Sequence, residues 1–225
     1  MNPRNILIAI VFSAVCSSCE LTQSPLSDVP VSEPDVLRVI AEADRDVYAS
    51  GSASSLLRVT LYDKHDEYVE LNKGNVTVNG LPMNYVVWGQ YERTTDVVNP
   101  DYNYTFTVTL SDGSQYSCRV HTPKNLNQLS VPATYDRNSP LKVTWGEIDN
   151  QALATLTFSG DTTLTFYVLA SQGSVTLQPS ALAKFHSGQT LTVTLTYTRS
   201  GSVDSGFMST SSAGASFSVS RYMQI

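Results

Sequence analysis

Residues 104–121 have the sequence YTFTVTLSDGSQYSCRVH, and this stretch decides the fold class. From Tyr104 to Leu110, apolar or aromatic side chains alternate with threonines, which is the period of a strand with one buried face. Residues 111–114 are turn formers and lead into a second strand-like run at 115–121. The stretch therefore predicts a β-hairpin.

The same pattern extends outward from this hairpin in both directions, and no helix-period stretch of useful length interrupts it. A single helical turn is expected after Pro179, and residues 122–125 break the pattern between two sets of strands. The predicted strands are 36–40, 56–62, 75–80, 85–91, 104–110, 115–121, 141–145, 152–158, 163–170, 174–178, 190–199 and 216–225. This spacing predicts an all-β chain of two tandem antiparallel β-sandwiches, at residues 35–123 and 124–225.

Two motifs resemble fibronectin type III domains. Residues 140–145, PLKVTW, resemble the second strand of that family, with Trp145 as the core tryptophan. Residues 99–108 resemble its sixth strand, with Tyr104 as the tyrosine-corner residue whose hydroxyl bonds to nearby backbone. Residues 187–193 look similar but carry Leu191 where that tyrosine should be. The resemblance implies an immunoglobulin-like or fibronectin type III-like fold, which does not specify a function.

The N-terminus has the parts of a secretory signal peptide, predicted to span residues 1–18. Arg4 precedes an apolar run at 6–15, and small residues follow. The run is shorter than the ~20 apolar residues that cross a bilayer. An ordinary signal peptide of a soluble secreted protein, or an N-terminal membrane anchor, remains an alternative to the lipoprotein signal described next.

Cys19 follows two serines, and a cysteine directly after small residues resembles the lipobox of bacterial lipoproteins. The resemblance implies cleavage before Cys19 and acylation of its thiol and new amino group, as with palmitate. Cys16 is the alternative site, but Val15 before it fits a small-residue cleavage pocket poorly. Residues 19–34 contain three prolines and are expected to form a flexible tether. Glu20 is not the aspartate associated with inner-membrane retention in some bacteria, which favours the outer membrane.

Composition restricts the partners. Charged residues are 15% of the 225-residue chain, the formal net charge is −6, and no basic stretch occurs. These features argue against nucleic-acid binding and against attraction to anionic lipid. We therefore expect the chain to reach the membrane through its N-terminal lipid.

No residue pattern predicts catalysis, a metal site or a cofactor. The three histidines lack the spacing of a metal site, and the charged segment 63–67 lacks the glycine of a calcium loop. Cys118 shares a strand face with Tyr116 and Val120, so we expect a core thiol. His121 would point to the opposite face, away from that thiol. The chain is accordingly predicted not to be an enzyme.

Aromatic residues crowd into residues 85–104. Aromatics on both faces of a strand at 85–91 would leave some exposed, and exposed aromatics suit stacking on sugar rings or packing on a protein. The alternative is that a loop or neighbouring domain covers them. The candidate binding residues are Tyr85, Trp88, Tyr91 and Tyr102, with Gln90 and Arg93 as polar neighbours.

The sequence thus favours a lipid-anchored envelope protein that acts as a non-enzymatic binding or adaptor module for a glycan or an envelope protein. One alternative is a fimbrial or pilus-type subunit assembled by strand exchange. Residues 217–223 look like a complete final strand, which counts against the missing strand that such assembly needs. A secreted hydrolase is the remaining alternative.

Overall fold

The computed structural model describes residues 33–94, 97–125, 128–146 and 149–225. The predicted signal peptide 1–18, Cys19 and most of the tether 19–34 lie outside the described residues. Across the described residues the secondary structure is almost entirely β, so the all-β prediction is confirmed. Short 3-10 helices occur at Pro34–Val36, Ala170–Gln172 and Pro179–Leu182.

Fifteen strands are described. They are β1 Arg38–Val47, β2 Ala53–Tyr62, β3 Asn75–Val78, β4 Leu81–Pro82, β5 Asn84–Tyr85, β6 Gln90–Arg93, β7 Asn103–Thr109, β8 Gln115–His121, β9 Leu141–Thr144, β10 Leu153–Ser159, β11 Thr163–Leu169, β12 Ser174–Leu177, β13 Thr190–Ser200, β14 Ser202–Val203 and β15 Ser212–Gln224.

These strands form three sheets. The largest has eight strands in the order β11-β10-β13-β15-β1-β2-β6-β5. A five-stranded sheet has the order β14-β8-β7-β3-β4, and β12 pairs with β9 alone. The five-stranded sheet is built from strands of the first half of the chain together with β14, whereas both strands of the two-stranded sheet belong to the second half.

The core lies between the sheets. It forms because alternate side chains along each strand are apolar and point inward. On β13 the inward side chains are Leu191, Val193, Leu195 and Tyr197, all inaccessible to solvent, while threonines occupy the other face. Trp145 is buried, and its indole Nε1–H donates to the Ala170 carbonyl at 3.0 Å, as expected of a core tryptophan. The Tyr104 hydroxyl accepts the Asn99 backbone N–H at 2.9 Å, which confirms the predicted tyrosine corner.

The eight-stranded sheet crosses the predicted boundary between the two halves. β15 pairs antiparallel with β13 from Gly214 to Gln224 and also pairs in parallel with β1, from Ile40 opposite Ser212 to Val47 opposite Val219. β14 pairs with β8 at the edge of the five-stranded sheet. The limits 35–123 and 124–225 stay a prediction, but strands of both halves share one sheet.

A mostly buried ion pair lies where the halves meet. The Arg199 guanidinium is 3.7 Å from the Asp149 carboxylate and donates to the Thr122 carbonyl at 3.2 Å. Asp149 also accepts the backbone N–H of Lys124 at 3.1 Å and of Gln151 at 3.0 Å. These bonds satisfy charges that burial would otherwise make costly.

Candidate functional site

Trp88 lies at the tip of a tight turn between β5 and β6. The Gln90 N–H donates to the Val87 carbonyl at 2.9 Å, and both central residues have positive φ, 49° at Trp88 and 65° at Gly89. Two positive φ values in succession define the type I′ hairpin turn. The predicted continuous strand at 85–91 is therefore wrong, because Gly89 permits a reversal there.

Gly89 fixes this turn against the end of β2. The Leu61 N–H donates to the Gly89 carbonyl at 3.0 Å. A Cβ at position 89 would lie 2.5 Å from the Leu61 carbonyl oxygen, so only glycine fits. Trp88 takes a left-handed backbone that costs a side-chain-bearing residue ~1–2 kcal/mol. Such strain persists where the surroundings enforce it, and it is concentrated at functional sites.

A short loop brings Tyr62 and Tyr68 together beside this turn. The two residues form an antiparallel bridge, and residues 63–67 connect them. Asp63 is buried, and its Oδ1 accepts the backbone N–H groups of His65 and Glu67, each at 2.8 Å. The charged segment is thus a turn, and the rings on either side of it are 5.0 Å apart between centroids.

Tyr62, Tyr68 and Trp88 form a continuous line of rings, which we call the aromatic row. The Tyr68 and Trp88 centroids are 6.5 Å apart with an interplanar angle of 28°. Trp88 is 44% exposed and Tyr68 is 38% exposed. The row therefore presents ring surface to solvent at the end of the sheet where β1 begins.

Arg38 borders the row at its Tyr62 end. Its guanidinium lies 4.0 Å from the Tyr62 ring centroid, within the range of a cation–π contact, and its Nη2 is 2.9 Å from the exposed carboxylate of Asp66. Burial, and next to it the neighbouring Tyr68, raises the pKa of Tyr62.

Tyr85 is partly exposed, and Gln90 is the last residue of the turn that carries Trp88. Tyr91 is only 5% exposed and packs edge-on against Tyr85 at 5.4 Å. Its hydroxyl accepts the Leu71 N–H at 2.7 Å, and burial raises the pKa of Tyr91 to about 12. The prediction of Tyr91 as a surface contact is therefore corrected: β6 pairs with β2, and Tyr91 lies opposite the fully buried Val59 on the inward face.

Arg93 and Tyr102 are not part of the row. Arg93 is at the opposite end of β6 from the turn and donates to the Pro82 carbonyl at 3.1 Å. Tyr102 is exposed but packs on Tyr104 of the five-stranded sheet, 5.0 Å between centroids. It lies near the meeting of the two halves, since the adjacent Asp101 donates its N–H to the Pro123 carbonyl. Closeness in sequence suggested one site, but the chain carries Tyr102 to another sheet.

Sequence reasoning missed Tyr62, Tyr68 and Arg38. A tyrosine at each end of a charged turn was a usable signal, because a short loop brings its flanking residues together. Nothing local indicated that this pair would meet Trp88 or Arg38, since both contacts depend on strand pairing in the sheet.

Other reactive groups lie apart from the row. Cys118 is a buried free thiol, and burial, with a smaller effect of Asp204, raises its pKa to about 12. The two ring nitrogens of His121 bond to Asn103 Oδ1 at 2.8 Å and Asp101 Oδ1 at 2.9 Å, and the His121 bond lowers the pKa of Asp101.

In the described ranges, no group of three His, Cys, Asp or Glu side chains is arranged to hold a metal ion. The described helices are all too short or too polar to cross a membrane.

Neither family models nor curated proteins match this chain. Solved structures give distant matches. The FN1–FN3 domains of chicken CNTN1 match at a TM-score of 0.31 and 9% identity, over 86% of this chain and 66% of that one, just under two thirds. The Clostridium thermocellum CbhA fibronectin(III)-like modules match at 0.28 and 14% identity, over 83% and 94% of the two chains. The Yersinia pseudotuberculosis adhesin InvE matches at 0.25 and 16% identity, over 79% and 58%. TM-scores this low do not assign the chain to a family.

Proposed function

We propose that this protein is a lipid-anchored, non-enzymatic binding module of the bacterial envelope, and that its ligand contacts the aromatic row. The observation that carries the proposal is Trp88, a bulky residue on a left-handed backbone that is 44% exposed and lies beside Tyr68. Backbone strain that the surroundings enforce is concentrated at functional sites, which supports a ligand-contacting role for this side chain.

The chemistry around the row favours a glycan. Two near-parallel exposed rings offer flat apolar surface, which can pack against the C–H face of a sugar ring. The exposed carboxylate of Asp66 is paired with Arg38, which lies over the Tyr62 ring, so an acceptor for sugar hydroxyls is present at that end of the row. A rigid aromatic gains contact area at a low entropic cost, which makes the same surface usable by a protein partner.

Binding to an array of bacterial envelope glycans, together with pull-down from an envelope extract, tests the site. Replacing Trp88 or Tyr68 with alanine should weaken the captured ligand by more than ~1 kcal/mol, about fivefold, with little change in thermal stability. Tyr222→Ala is the matched control, because Tyr222 is an exposed tyrosine on β15. Unchanged affinity in both row variants would refute the site.

The anchoring part of the proposal rests on Cys19 and the two serines before it. Cys19→Ala should leave unprocessed precursor in the host, and mass spectrometry of the mature wild-type protein should find acyl chains on its first residue. Several acyl chains hold a protein on a membrane durably, whereas one does so only marginally. An unmodified Cys19 in a soluble mature chain would exclude the lipoprotein, without bearing on the aromatic row.

Assembly by exchange of the last strand is less consistent with the sheet. β15 is an interior strand, paired with β13 on one side and with β1 on the other. Its removal would divide the eight-stranded sheet, so it is poorly suited to act as a donated strand.

A further inference from the structure

β11 is an unprotected sheet edge. Among the described strands, every other strand at the end of a sheet has two or four residues, whereas β11 has seven. Its sequence, TLTFYVL, contains no charge, proline or glycine. Natural proteins usually shorten, charge or cover an edge strand, because its free N–H and C=O groups pair readily with another strand. Within the part of the chain that the structure describes, β11 has none of these protections.

Both faces of this edge are apolar and incompletely covered. On the outer face, Tyr167 is 90% exposed, Leu169 is 63% exposed, and Leu153 of the adjoining β10 is 76% exposed. On the inner face, Leu164, Phe166 and Val168 pack against the core but are only partly buried. A strand added beside β11 would cover side chains on both faces and satisfy the free backbone groups.

We propose that a second copy of this chain occupies this edge, with the two β11 strands antiparallel about a two-fold axis at Phe166. In that register Leu164 lies opposite Val168 of the second copy, so the partly buried inner side chains meet one another. On the outer face Tyr167 lies opposite Thr165, and Leu169 opposite Thr163. The contact is self-complementary, as a two-fold interface must be.

Charge favours a second copy over an unrelated basic or acidic strand. The chain carries a net charge of −6, yet no charged side chain enters the strand pair. Asp161, in the turn before β11, falls opposite Ser171 of the second copy, not opposite another acid. A charged partner strand would find no opposite charge on β11. The identical strand buries only apolar and hydroxyl-bearing side chains.

Sedimentation of the full chain, in density-matched detergent with excess micelles, tests this proposal. The wild type should have the mass of two chains at micromolar concentration. Thr165→Lys places a lysine from each copy close to the axis and should weaken association at least tenfold. Tyr167→Ala should also weaken it, and neither variant should alter the far-UV circular dichroism, because both side chains are exposed. Thr190→Lys, at the exposed start of β13, is the control and should dimerise like the wild type.

A wild type that remains one chain at every concentration would overturn the proposal and leave the edge to a strand from a different protein. A dimer or larger assembly that persists in both Thr165→Lys and Tyr167→Ala would also overturn it, since the contact would then lie elsewhere. Neither result bears on ligand binding by the aromatic row, which is formed by other strands.

Discussion

At the scale of single residues, Trp88 combines an exposed side chain with a strained backbone conformation. Its φ of 49° is unfavourable for any residue with a Cβ. Trp88→Gly should therefore be more stable to unfolding than Trp88→Ala by about 0.5–1 kcal/mol, because relief of ~1–2 kcal/mol of backbone strain exceeds the entropy that glycine adds to the unfolded chain. Urea denaturation measures the difference. The same pair of substitutions at Val86 is the control, and there glycine should be the less stable.

Glycine more stable than alanine at position 88, with ligand binding lost in both variants, would link the strain to function. Equal stability of the two variants would mean that the turn relaxes when the ring is removed.

Asp44 is a second residue whose surroundings oppose its charge. It lies on β1 between Glu42 and Asp46. Burial raises the pKa of Asp44 to about 6, with further contributions from these two carboxylates, while Arg58 on β2 and a backbone hydrogen bond with Ser216 act in the lowering direction. Since β1 pairs with β15 at this point, the carboxyl lies where the two halves of the chain join.

Folding therefore favours the protonated form of Asp44. Its stabilising effect is complete below the unfolded pKa of ~3.9 and is lost as the pH rises through about 6. Asp44→Asn should be more stable than the wild type above pH 6, and the difference should shrink to nothing near pH 4. Chemical denaturation at a series of pH values checks this. A difference that does not vary between pH 4 and pH 7 would show that Asp44 has an ordinary pKa.

At the scale of elements, the β5–β6 turn depends on close approach as well as on backbone freedom. Gly89→Ala should destabilise the protein by more than Gly113→Ala, although both glycines have positive φ. At position 113 an added Cβ meets nothing within 4 Å, so only the left-handed backbone is penalised, by ~1–2 kcal/mol. At position 89 the Cβ also collides with the Leu61 carbonyl. Thermal unfolding of the two variants gives the comparison, and equal losses would contradict it.

Strands with clear alternation were predictable from sequence. The predicted strand at 115–121 coincides with β8, and 104–110 differs from β7 by one residue at each end. β15 begins four residues before the predicted 216, because its first residues are small and carry no apolar alternation. β14 has two residues and leaves no pattern to detect.

Pairing between strands was not predictable in the same way. β1 and β15 are at opposite ends of the chain, and no local signal specifies their parallel register. The candidate site also depends on strand pairing and could be predicted only in part. Trp88 and Tyr85 could be singled out from composition, but the turn that exposes Trp88 and buries Tyr91 depends on contacts with β2. The aromatic row also needs the bridge between Tyr62 and Tyr68.

At the scale of the whole molecule, the two halves are joined by backbone as well as by side chains. The β1–β15 ladder supplies eight residue pairs, from Ile40–Ser212 to Val47–Val219. Phe207, in the connection between β14 and β15, is buried against Tyr116 of β8, with 5.6 Å between ring centroids. Part of the second half thus completes both sheets of the first, so the unfolding of either half exposes apolar surface of the other.

We therefore expect one cooperative unfolding transition, not the two expected of independent tandem domains. Each half holds one tryptophan: Trp88 in the first and Trp145 in the second. In urea, fluorescence of a Trp145→Phe variant should follow the first half and fluorescence of a Trp88→Phe variant the second. Within each variant the fluorescence midpoint should coincide with the circular dichroism midpoint, which reports both halves, because a shared sheet cannot lose one side alone. Separate midpoints would mean that the β1–β15 ladder opens before either half unfolds, and that residues 35–123 and 124–225 behave as independent domains.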